Sequence, residues 1–337
     1  MQGMTLENEY VRYVVGADGQ SASFFDKAEQ KERLSAEGSR AWMSVTKDGK
    51  THSSASVSYD GKAGELTVGF GDSGVTARFK VKTKPRHFTF ELTGLTGGEV
   101  TAMFLCQLPV RVEGLVGETV AVARDETFAA GVQAMNIKME AGANKRAKDS
   151  IVWVRDFPQH GPLVGAKFAL FGCPAAKALE TIGEIEVAEG LPHPMLAGHW
   201  GKVSPEAARS YLITNFSEQN IDEALKYAQA GGFTYIYQPA PFETWGHWPL
   251  KKTDFPNGYA GLKAVVEKAN RLGIKVGVHI LSGGITTNDA YVTPVPDPRL
   301  EKYGTATLAA DVEAQATTLL VRNPQGKFGA TKTVQVG

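Results

Sequence analysis

The fold of the second half of the chain is decided between residues 233 and 280. The sequence there reads FTYIYQ (233–238), then an aromatic-rich loop, then YAGLKAVVEKANRL (259–272) and IKVGVHI (274–280). The first and last runs are short and rich in β-branched and aromatic residues, which is typical of strands. In the run between them, Leu262, Val265 and Ala269 lie at helical spacing, and Gly273 follows as a stop signal. This strand–helix–strand order predicts two parallel strands joined by a right-handed crossover.

The preceding segment supplies one more strand and one more helix. Residues 209–214 read RSYLIT, a strand-like run, and a helix is predicted from Ile221 to Ala230. Asn220 is expected to cap this helix, with Glu223 in the capping-box position. The whole order fits either a doubly wound sheet or a (β/α)8 barrel. Because no glycine-rich phosphate loop follows the first strand, the sequence disfavours a nucleotide-binding sheet.

The first half of the chain, up to about residue 194, follows a period of two. Val75, Ala77 and Phe79 alternate with polar residues, and DG turn signals at 48–49 and 60–61 separate similar runs. Many short alternating strands between such turns predict a sandwich of antiparallel sheets. One helix is predicted in this half, from about residue 174 to residue 187, with its apolar residues at helical spacing.

The composition excludes several classes of protein. Of the 337 residues, 42% are hydrophobic and 21% are charged, which excludes a disordered chain, a coiled coil and a collagen-like fibre. The 36 basic and 36 acidic residues balance, so no charge excess indicates a nucleic-acid or membrane-surface partner. No apolar run approaches the ~18 residues that a membrane span needs, and residues 1–7 do not resemble a signal peptide. Cys106 and Cys173 lie in apolar runs and are expected to be buried free thiols, with a disulfide as the alternative.

Residues suited to ligand binding gather after the second and third predicted strands. The loop after the second strand reads QPAPFETWGHW (238–248), and His279 stands near the end of the third. In both candidate architectures this edge of the sheet is where ligands bind. Aromatic faces stack on sugar C–H groups, and carboxylates and imidazoles hydrogen-bond to hydroxyls, so the pattern indicates a carbohydrate site. The predicted substrate-contact residues are Gln238, Glu243, Trp245, His247, Trp248, His279, Asn288, Asp289 and Tyr291.

Other interpretations of these residues stay open. The aromatic loop also fits a packed cover over the mouth of a barrel, with no ligand beneath it. Glu243, His247 and His279 are of types that bind zinc, but their spacing matches no zinc motif, and neither a metal nor another cofactor is predicted. A sugar-isomerising sandwich would need an acid and a base, for which His87 and His160 are the candidates. Both histidines are interpreted as structural.

Several motifs between residues 210 and 280 occur in a known order. They are a strand, a Trp-containing loop, an FPNG turn (255–258), a GLK helix start (261–263) and a GIKVG strand (273–277). In this order they resemble the α-galactosidase (melibiase) clan of glycoside hydrolases. Many clan members carry an N-terminal β-sandwich of the galactose-mutarotase type, to which the first half is similar in pattern. The clan's Asp-Asp pair at the end of the second strand is replaced here by Gln238-Pro239, so no preference for galactose is implied.

These observations predict a multidomain protein of the β plus α/β class. An antiparallel β-sandwich is predicted over residues 1–195, and the first three βα units of a (β/α)8 barrel over residues 196–303. A small β-rich insert is expected to begin over residues 304–337. Because a full barrel takes roughly 200–250 residues, the barrel is expected to continue beyond the chain.

The resemblance implies a function for this arrangement. The chain would be the N-terminal portion of a retaining glycoside hydrolase acting on an α-linked glycoside or polysaccharide. The clan's two catalytic carboxylates follow the fourth and sixth barrel strands, so they would lie beyond residue 337 and this chain alone would be inactive. A non-catalytic carbohydrate-binding protein is the alternative. An extracellular or periplasmic location is also implied by the resemblance.

Overall fold

The protein divides into two compact units, Met1–Ala207 and Ala208–Gly337. The computed structural model describes residues 3–117, 121–158, 161–300, 302 and 304–326. Strands dominate these residues, which also include three α-helices. The sequence predicts domain limits after residues 195 and 303, and that three-part division stays a prediction.

The first unit is built from short strands in which buried and exposed residues alternate. In β2, for example, Val11, Tyr13 and Val15 are buried while Arg12 is exposed. In chain order the strands are β1 (Met4–Glu7), β2 (Val11–Val15), β3 (Ser21–Asp26), β4 (Lys31–Glu32), β5 (Ser44–Lys47), β6 (Lys50–Ser53), β7 (Ser56–Asp60), β8 (Glu65–Gly69), β9 (Thr76–Thr83), β10 (Phe88–Thr96), β11 (Ala102–Val110), β12 (Leu115–Gly117), β13 (Val122–Arg124), β14 (Phe128–Ala134), β15 (Met139–Lys145), β16 (Ser150–Asp156), β17 (Lys167–Pro174), β18 (Met195–Leu196) and β19 (His199–Trp200).

These strands form three larger antiparallel sheets and one short hairpin. The four-stranded sheet is a meander, β1-β2-β3-β4. The eight-stranded sheet has the order β12-β13-β14-β17-β10-β9-β8-β7, and the five-stranded sheet has the order β15-β16-β11-β5-β6. β18 pairs with β19. The predicted β-rich, antiparallel first half is thereby confirmed.

One hydrophobic core draws residues from all three larger sheets. Contacts between aromatic rings link the three sheets. The ring centroids of Tyr13 and Trp42 are 6.1 Å apart, and those of Trp42 and Phe90 are 5.4 Å apart. Phe90 in turn stacks on Phe168 at 4.9 Å. Such fully buried rings dominate the burial energy of a core because each removes a large apolar area from water.

The helix of the first unit covers a small satellite of this core. α1 (Ala178–Ala188) begins after a 3-10 turn at Ala175–Lys177, four residues later than the predicted start. It packs Ile182 and Ile185 in a cluster with Phe171, Cys173 and Trp200. Cys173 and Cys106 are both free and buried, as predicted. Burial raises the pKa of the Cys106 thiol to about 12 and that of Cys173 to about 11, so both thiols are unreactive at neutral pH.

The second unit contains the predicted alternation of strands and helices. Its elements are β20 (Leu212–Ile213), α2 (Ile221–Ala230), β21 (Tyr235–Gln238), α3 (Gly258–Arg271), β22 (Lys275–Val278), β23 (Gly304–Leu308) and β24 (Val321–Gly326). β21 lies between β20 and β22, and both pairings are parallel. β20 has two residues, whereas six were predicted. The helices bury Leu225, Ala228 and Val265 with Ile236 of the central strand. β23 and β24 form an antiparallel hairpin.

The N-terminus of α2 differs from the prediction in its capping. Asn220 occupies the N-cap position, but its side chain makes no cap hydrogen bond. Its Oδ1 atom instead accepts from the backbone N–H of Ser217 at 2.7 Å. The preceding turn therefore competes with the helix for the same carboxamide, and the predicted side-chain cap is wrong.

Candidate functional site

The carboxyl ends of β20, β21 and β22 meet at one edge of the parallel sheet. Hydrogen bonds extend the ladder beyond the strands, from Thr214 N–H to Tyr237 O at 3.0 Å and from His279 N–H to Gln238 O at 2.9 Å. Two long connections leave from this edge, over residues 239–257 and from residue 279 onward. Most of the predicted site residues lie on these two connections, at the edge where parallel α/β sheets bind ligands.

Four half-buried rings at this edge form what we name the ring cluster: Tyr237, Trp245, Trp248 and His279. Trp245 stacks on Trp248, with ring centroids 6.2 Å apart and an interplanar angle of 27°. Trp245 is also 5.9 Å from the His279 ring. The Tyr237 hydroxyl and His279 Nδ1 are 2.5 Å apart, so these two polar atoms are hydrogen-bonded. The cluster combines apolar ring faces with polar ring edges.

A buried carboxylate joins the two connections. Asp289 is 1% exposed. Its Oδ2 accepts hydrogen bonds from Thr244 Oγ1 at 2.6 Å and from the His247 backbone N–H at 2.9 Å. Its Oδ1 is 2.7 Å from His247 Nδ1 and accepts from the Tyr291 N–H at 2.9 Å. We name this arrangement the Asp289 clamp, because it ties residues 244–247 to residues 289–291.

The hydrogen bonds of the clamp keep Asp289 ionised. Burial by itself raises the pKa of a carboxyl group, since it disfavours the charged form. Here the bonds from the His247 N–H, the Thr244 hydroxyl and the Tyr291 N–H outweigh that effect and hold the pKa of Asp289 well below its ordinary value. An ionised carboxylate accepts hydrogen bonds and donates none.

The backbone of the GHW segment is shaped to fit the clamp. Gly246 has φ +132°, and a Cβ there would lie 2.6 Å from the Asp289 carboxylate. Trp248 has φ +56°, a left-handed conformation that is uncommon for a tryptophan. Its carbonyl accepts a hydrogen bond from the Tyr259 hydroxyl at 2.7 Å. Glycine is required at 246 both for its φ and for the space.

His247 stands at the surface of this arrangement. Its side chain is 51% exposed. One ring face stacks on Tyr291, with centroids 4.2 Å apart and an angle of 24°. Within the described part of the chain, Nδ1 is bonded to Asp289 and Nε2 makes no hydrogen bond. The imidazole is therefore oriented from two sides and presents Nε2 to solvent.

The remaining predicted residues are placed differently. Gln238 is 1% exposed, and its amide bonds to the backbone, through Nε2 to Phe216 O and through Oε1 to Ala240 N–H, both at 2.9 Å. It thereby shapes the chain and offers little to a ligand. Glu243 is exposed, and its carboxylate makes no hydrogen bond or ion pair with the described residues. Asn288 is also exposed and is not drawn into the clamp or the ring cluster.

Sequence reasoning missed three residues that organise this edge. Tyr237 orients His279, and it has room because Gly277 lies beside it, where a Cβ would be 3.1 Å from the Tyr237 ring. Thr244 belongs to the Asp289 clamp. Thr286 accepts from the Trp245 N–H at 3.0 Å. The alternation of β21 signals that Tyr237 and Gln238 face opposite sides, whereas the threonine contacts join residues more than 40 positions apart and leave no local signal.

The FPNG and GLK motifs have a structural role at the start of α3. Glu218 accepts hydrogen bonds from the Asn257 N–H at 2.9 Å and from Asn257 Nδ2 at 2.7 Å. A Cβ at Gly261, on the first turn, would collide with that carboxylate. A carboxylate at a helix N-terminus is favourable because it pairs with unsatisfied N–H groups and the positive end of the dipole.

Other candidate sites gain no support among the described residues. There, no group of three or more His, Cys, Asp and Glu side chains is arranged to hold a metal, so Glu243, His247 and His279 do not assemble as a zinc site. His87 is buried and its Nε2 is 3.1 Å from a Glu189 oxygen, while His160 lies outside the described residues. No helix that the structure describes is long and apolar enough to cross a membrane.

Comparison with solved structures finds a likeness of fold to an α-N-acetylgalactosaminidase. The α-N-acetylgalactosaminidase NagBb from Bifidobacterium bifidum, in its Gal-NHAc-DNJ complex, matches with a TM-score of 0.51 and 11% identity. The match covers 82% of this chain and 58% of that chain. Its GalNAc complex matches over the same shares, with a TM-score of 0.50 and 11% identity. An α-galactosidase from Lactobacillus brevis matches over 82% of this chain and 54% of that one at 11% identity, with a TM-score of 0.36 that is too low to indicate a shared fold.

The solved structures match this chain over only part of their own length. This chain spans less than two thirds of the length of these solved chains, and at 11% identity the likeness is one of fold. No protein-family model and no curated protein matches the chain.

Proposed function

We propose that this chain is the N-terminal portion of a retaining glycoside hydrolase that acts on an α-linked glycoside or polysaccharide. In this proposal the second unit is the start of a (β/α)8 barrel of the α-galactosidase clan type, and the first unit is its N-terminal sandwich. The observation that carries it is the ring cluster at the carboxyl edge of the parallel sheet. The fold likeness to the Bifidobacterium bifidum enzyme supports it.

The proposed roles follow from the chemistry of each side chain. Trp245 and Trp248 present apolar faces on which the C–H groups of a sugar ring stack. His279 and His247 supply ring nitrogens, and Glu243 and Asn288 supply exposed polar groups, for hydroxyl groups. Gln238 and Asp289, whose polar atoms are engaged within the protein, hold the connections in place.

The catalytic carboxylates are proposed to lie beyond residue 337. A retaining mechanism uses two carboxyl groups about 5–5.5 Å apart, one as nucleophile and one as acid/base. Among the predicted site residues in the described part of the chain, Glu243 has the one exposed carboxylate, since Asp289 is buried and bonded through both oxygens. Glu243 is therefore assigned to substrate contact.

The test is hydrolysis of a panel of p-nitrophenyl α-glycosides by the full-length product of the coding region. We expect at least one α-glycoside to be cleaved, with the anomeric configuration retained in the first product seen by NMR. Trp245→Ala is expected to lower kcat/KM by at least tenfold, whereas Trp153→Ala, which alters a half-buried tryptophan of the first unit, leaves it within about twofold. No cleavage of any glycoside overturns the hydrolase proposal.

A non-catalytic carbohydrate-binding protein is the second candidate. It is favoured by the single exposed carboxylate among the predicted site residues. Quenching of tryptophan fluorescence by glycosides, without hydrolysis by the full-length protein, is the result that distinguishes it. In either case we propose an extracellular or periplasmic location, which cell fractionation tests.

A further inference from the structure

The imidazole of His247 is held in a way that fixes which of its nitrogens carries the proton. Its Nδ1 is 2.7 Å from Asp289 Oδ1, and its ring stacks on Tyr291 at 4.2 Å. Its backbone N–H is bonded to the other oxygen of the same carboxylate at 2.9 Å. Both the main chain and the side chain of His247 are thus anchored on one buried group.

The proton assignment follows from the partner. An ionised carboxylate accepts hydrogen bonds and donates none, so the short contact requires a hydrogen on His247 Nδ1. A neutral imidazole carries one ring proton, so Nε2 then has a free lone pair. That atom belongs to a half-exposed ring and has no partner among the described residues.

We propose that Asp289 is a positioning residue that holds neutral His247 as the Nδ1–H tautomer, so that Nε2 accepts a hydrogen bond from a hydroxyl group of the bound sugar. This inference rests on the proposed function, because it names one polar contact of the same site. It assigns Asp289, which the sequence suggested as a direct contact, to the support of His247 instead. The left-handed φ of Trp248 and the required glycine at 246 are consistent with a segment built around this clamp.

A second histidine in the protein provides an internal control. His193 in the first unit has its Nδ1 3.0 Å from a Glu186 oxygen, and its ring stacks on Trp200 at 5.1 Å and 12°. The carboxylate and the stacked ring repeat the environment of His247, but His193 belongs to the first unit, whereas the ring cluster belongs to the second. The same tautomer is expected for both, and a response to sugar is expected for His247 alone.

The experiment uses the 15N-labelled full-length protein and long-range 1H–15N spectra of its imidazoles. For the neutral imidazole, the expected spectrum shows His247 with a protonated Nδ1 and an unprotonated Nε2. Addition of methyl α-D-galactopyranoside or methyl α-D-glucopyranoside is expected to shift the His247 Nε2 resonance for the sugar that binds and to leave His193 unchanged. A protonated Nε2 in the unliganded protein overturns the inference, whatever the sugar does.

Variants separate the positioning role from general packing. Asp289→Asn replaces one acceptor by an N–H donor, so it is expected to change the tautomer of His247 and weaken sugar binding about three- to tenfold. Glu186→Gln makes the same carboxylate-to-amide change beside His193 in the first unit and is the matched control. It is expected to leave the His247 tautomer unchanged and to change sugar affinity less than twofold. Equal losses in both variants, with an unchanged tautomer, overturn the inference.

The outcomes also separate this inference from the proposed function. Sugar binding measured by tryptophan fluorescence, with no response at His247 Nε2, overturns the acceptor role and leaves the carbohydrate function intact. Absence of binding for every glycoside tested overturns the proposed function and with it the sugar contact, although the tautomer is still read from the unliganded spectrum.

Discussion

The two units use their aromatic residues in opposite ways. In the first unit, rings such as those of Trp42, Phe90 and Phe168 are fully buried in a core that includes 41 of the described residues and draws on three sheets. The second unit has a core of 11 buried residues, whose only two rings among the described residues belong to Phe216 and Phe255. Its tryptophans instead lie half-buried at the carboxyl edge of the sheet. The contrast indicates that the first unit is built for stability and that the second keeps its rings available at the surface.

The largest expected effect is on the two cores. Phe90→Ala is expected to lower the unfolding free energy of the first unit by about 3–5 kcal/mol, because a ring packed on Trp42 and Phe168 leaves a cavity. Phe255→Ala, equally buried in the second unit, is expected to fall at the lower end of that range because a smaller core relaxes more easily. Urea unfolding, monitored by hydrogen exchange in each unit, measures both losses of stability. A single cooperative transition that shifts equally in both variants would contradict the difference between the two cores.

A smaller effect on the free energy of unfolding is expected at the start of α3, and its sign depends on whether Glu218 is present. Gly261→Ala is expected to cost about 1–2 kcal/mol, since the new Cβ displaces Glu218 from Asn257. In a Glu218→Ala background the same substitution is expected to stabilise the second unit by about 0.5–1 kcal/mol, because alanine is the better helix former. A double-mutant cycle in urea measures the difference. Additive effects would show that Glu218 does not hold this position.

The pH dependence is expected to distinguish the units further. Burial lowers the pKa of His87 in the first unit, against the opposing effect of its hydrogen bond to the Glu189 carboxylate. The unfolded chain therefore binds a proton near the ordinary pKa of 6.5, whereas the folded chain binds it at lower pH. The stability of the first unit is thus full above about pH 6.5 and falls below it, by less than about 1.4 kcal/mol per pH unit. Thermal unfolding between pH 7.5 and pH 5 measures this slope, and His87→Gln is expected to reduce it.

The smallest effect is expected at the surface of the second unit. Lys268 of α3 is 2.9 Å from the Asp222 carboxylate of α2, and both side chains are exposed. Asp222→Asn is expected to cost about 0.5 kcal/mol or less, because exposed ion pairs are screened by water and salt. Urea unfolding at low and high salt provides the measurement. A loss above 1 kcal/mol would show that this pair is a main contact between the two helices.

Elements with strong local signals were predictable from the sequence. The bounds of α2 agree with the prediction because its apolar stripe is regular and two glycines follow it. The antiparallel strands of the first unit were predictable from alternation and turn residues. The Asn220 cap failed because Ser217, three residues earlier, competes for the same side chain. The strand at β20 is shorter than its sequence suggests, and nothing in the pattern of residues 209–214 marks that limit.

The site was predictable in part. The position of the aromatic loop and of His279 after the strands predicts that they lie at one edge of the sheet, where the structure has them. Which of these side chains are buried and bonded to one another could not be predicted, because it depends on contacts between residues far apart in the sequence. Asp289 reaches His247 across 42 residues, and Tyr237 reaches His279 across the same number. No local periodicity reports such pairs, so the buried carboxylate of Asp289 and the exposed carboxylate of Glu243 look alike in the sequence.

The carboxylate of Glu218 bears on which ligands the edge admits. In many α/β proteins the N-terminus of the helix after a strand binds phosphate through its free N–H groups. In this protein Glu218 already occupies the start of α3, and Tyr259 on the same turn holds the Trp248 carbonyl. A carboxylate therefore stands at the start of α3, where a phosphate-binding protein offers free donors. This helix terminus is not expected to hold a phosphoryl or sulfate group.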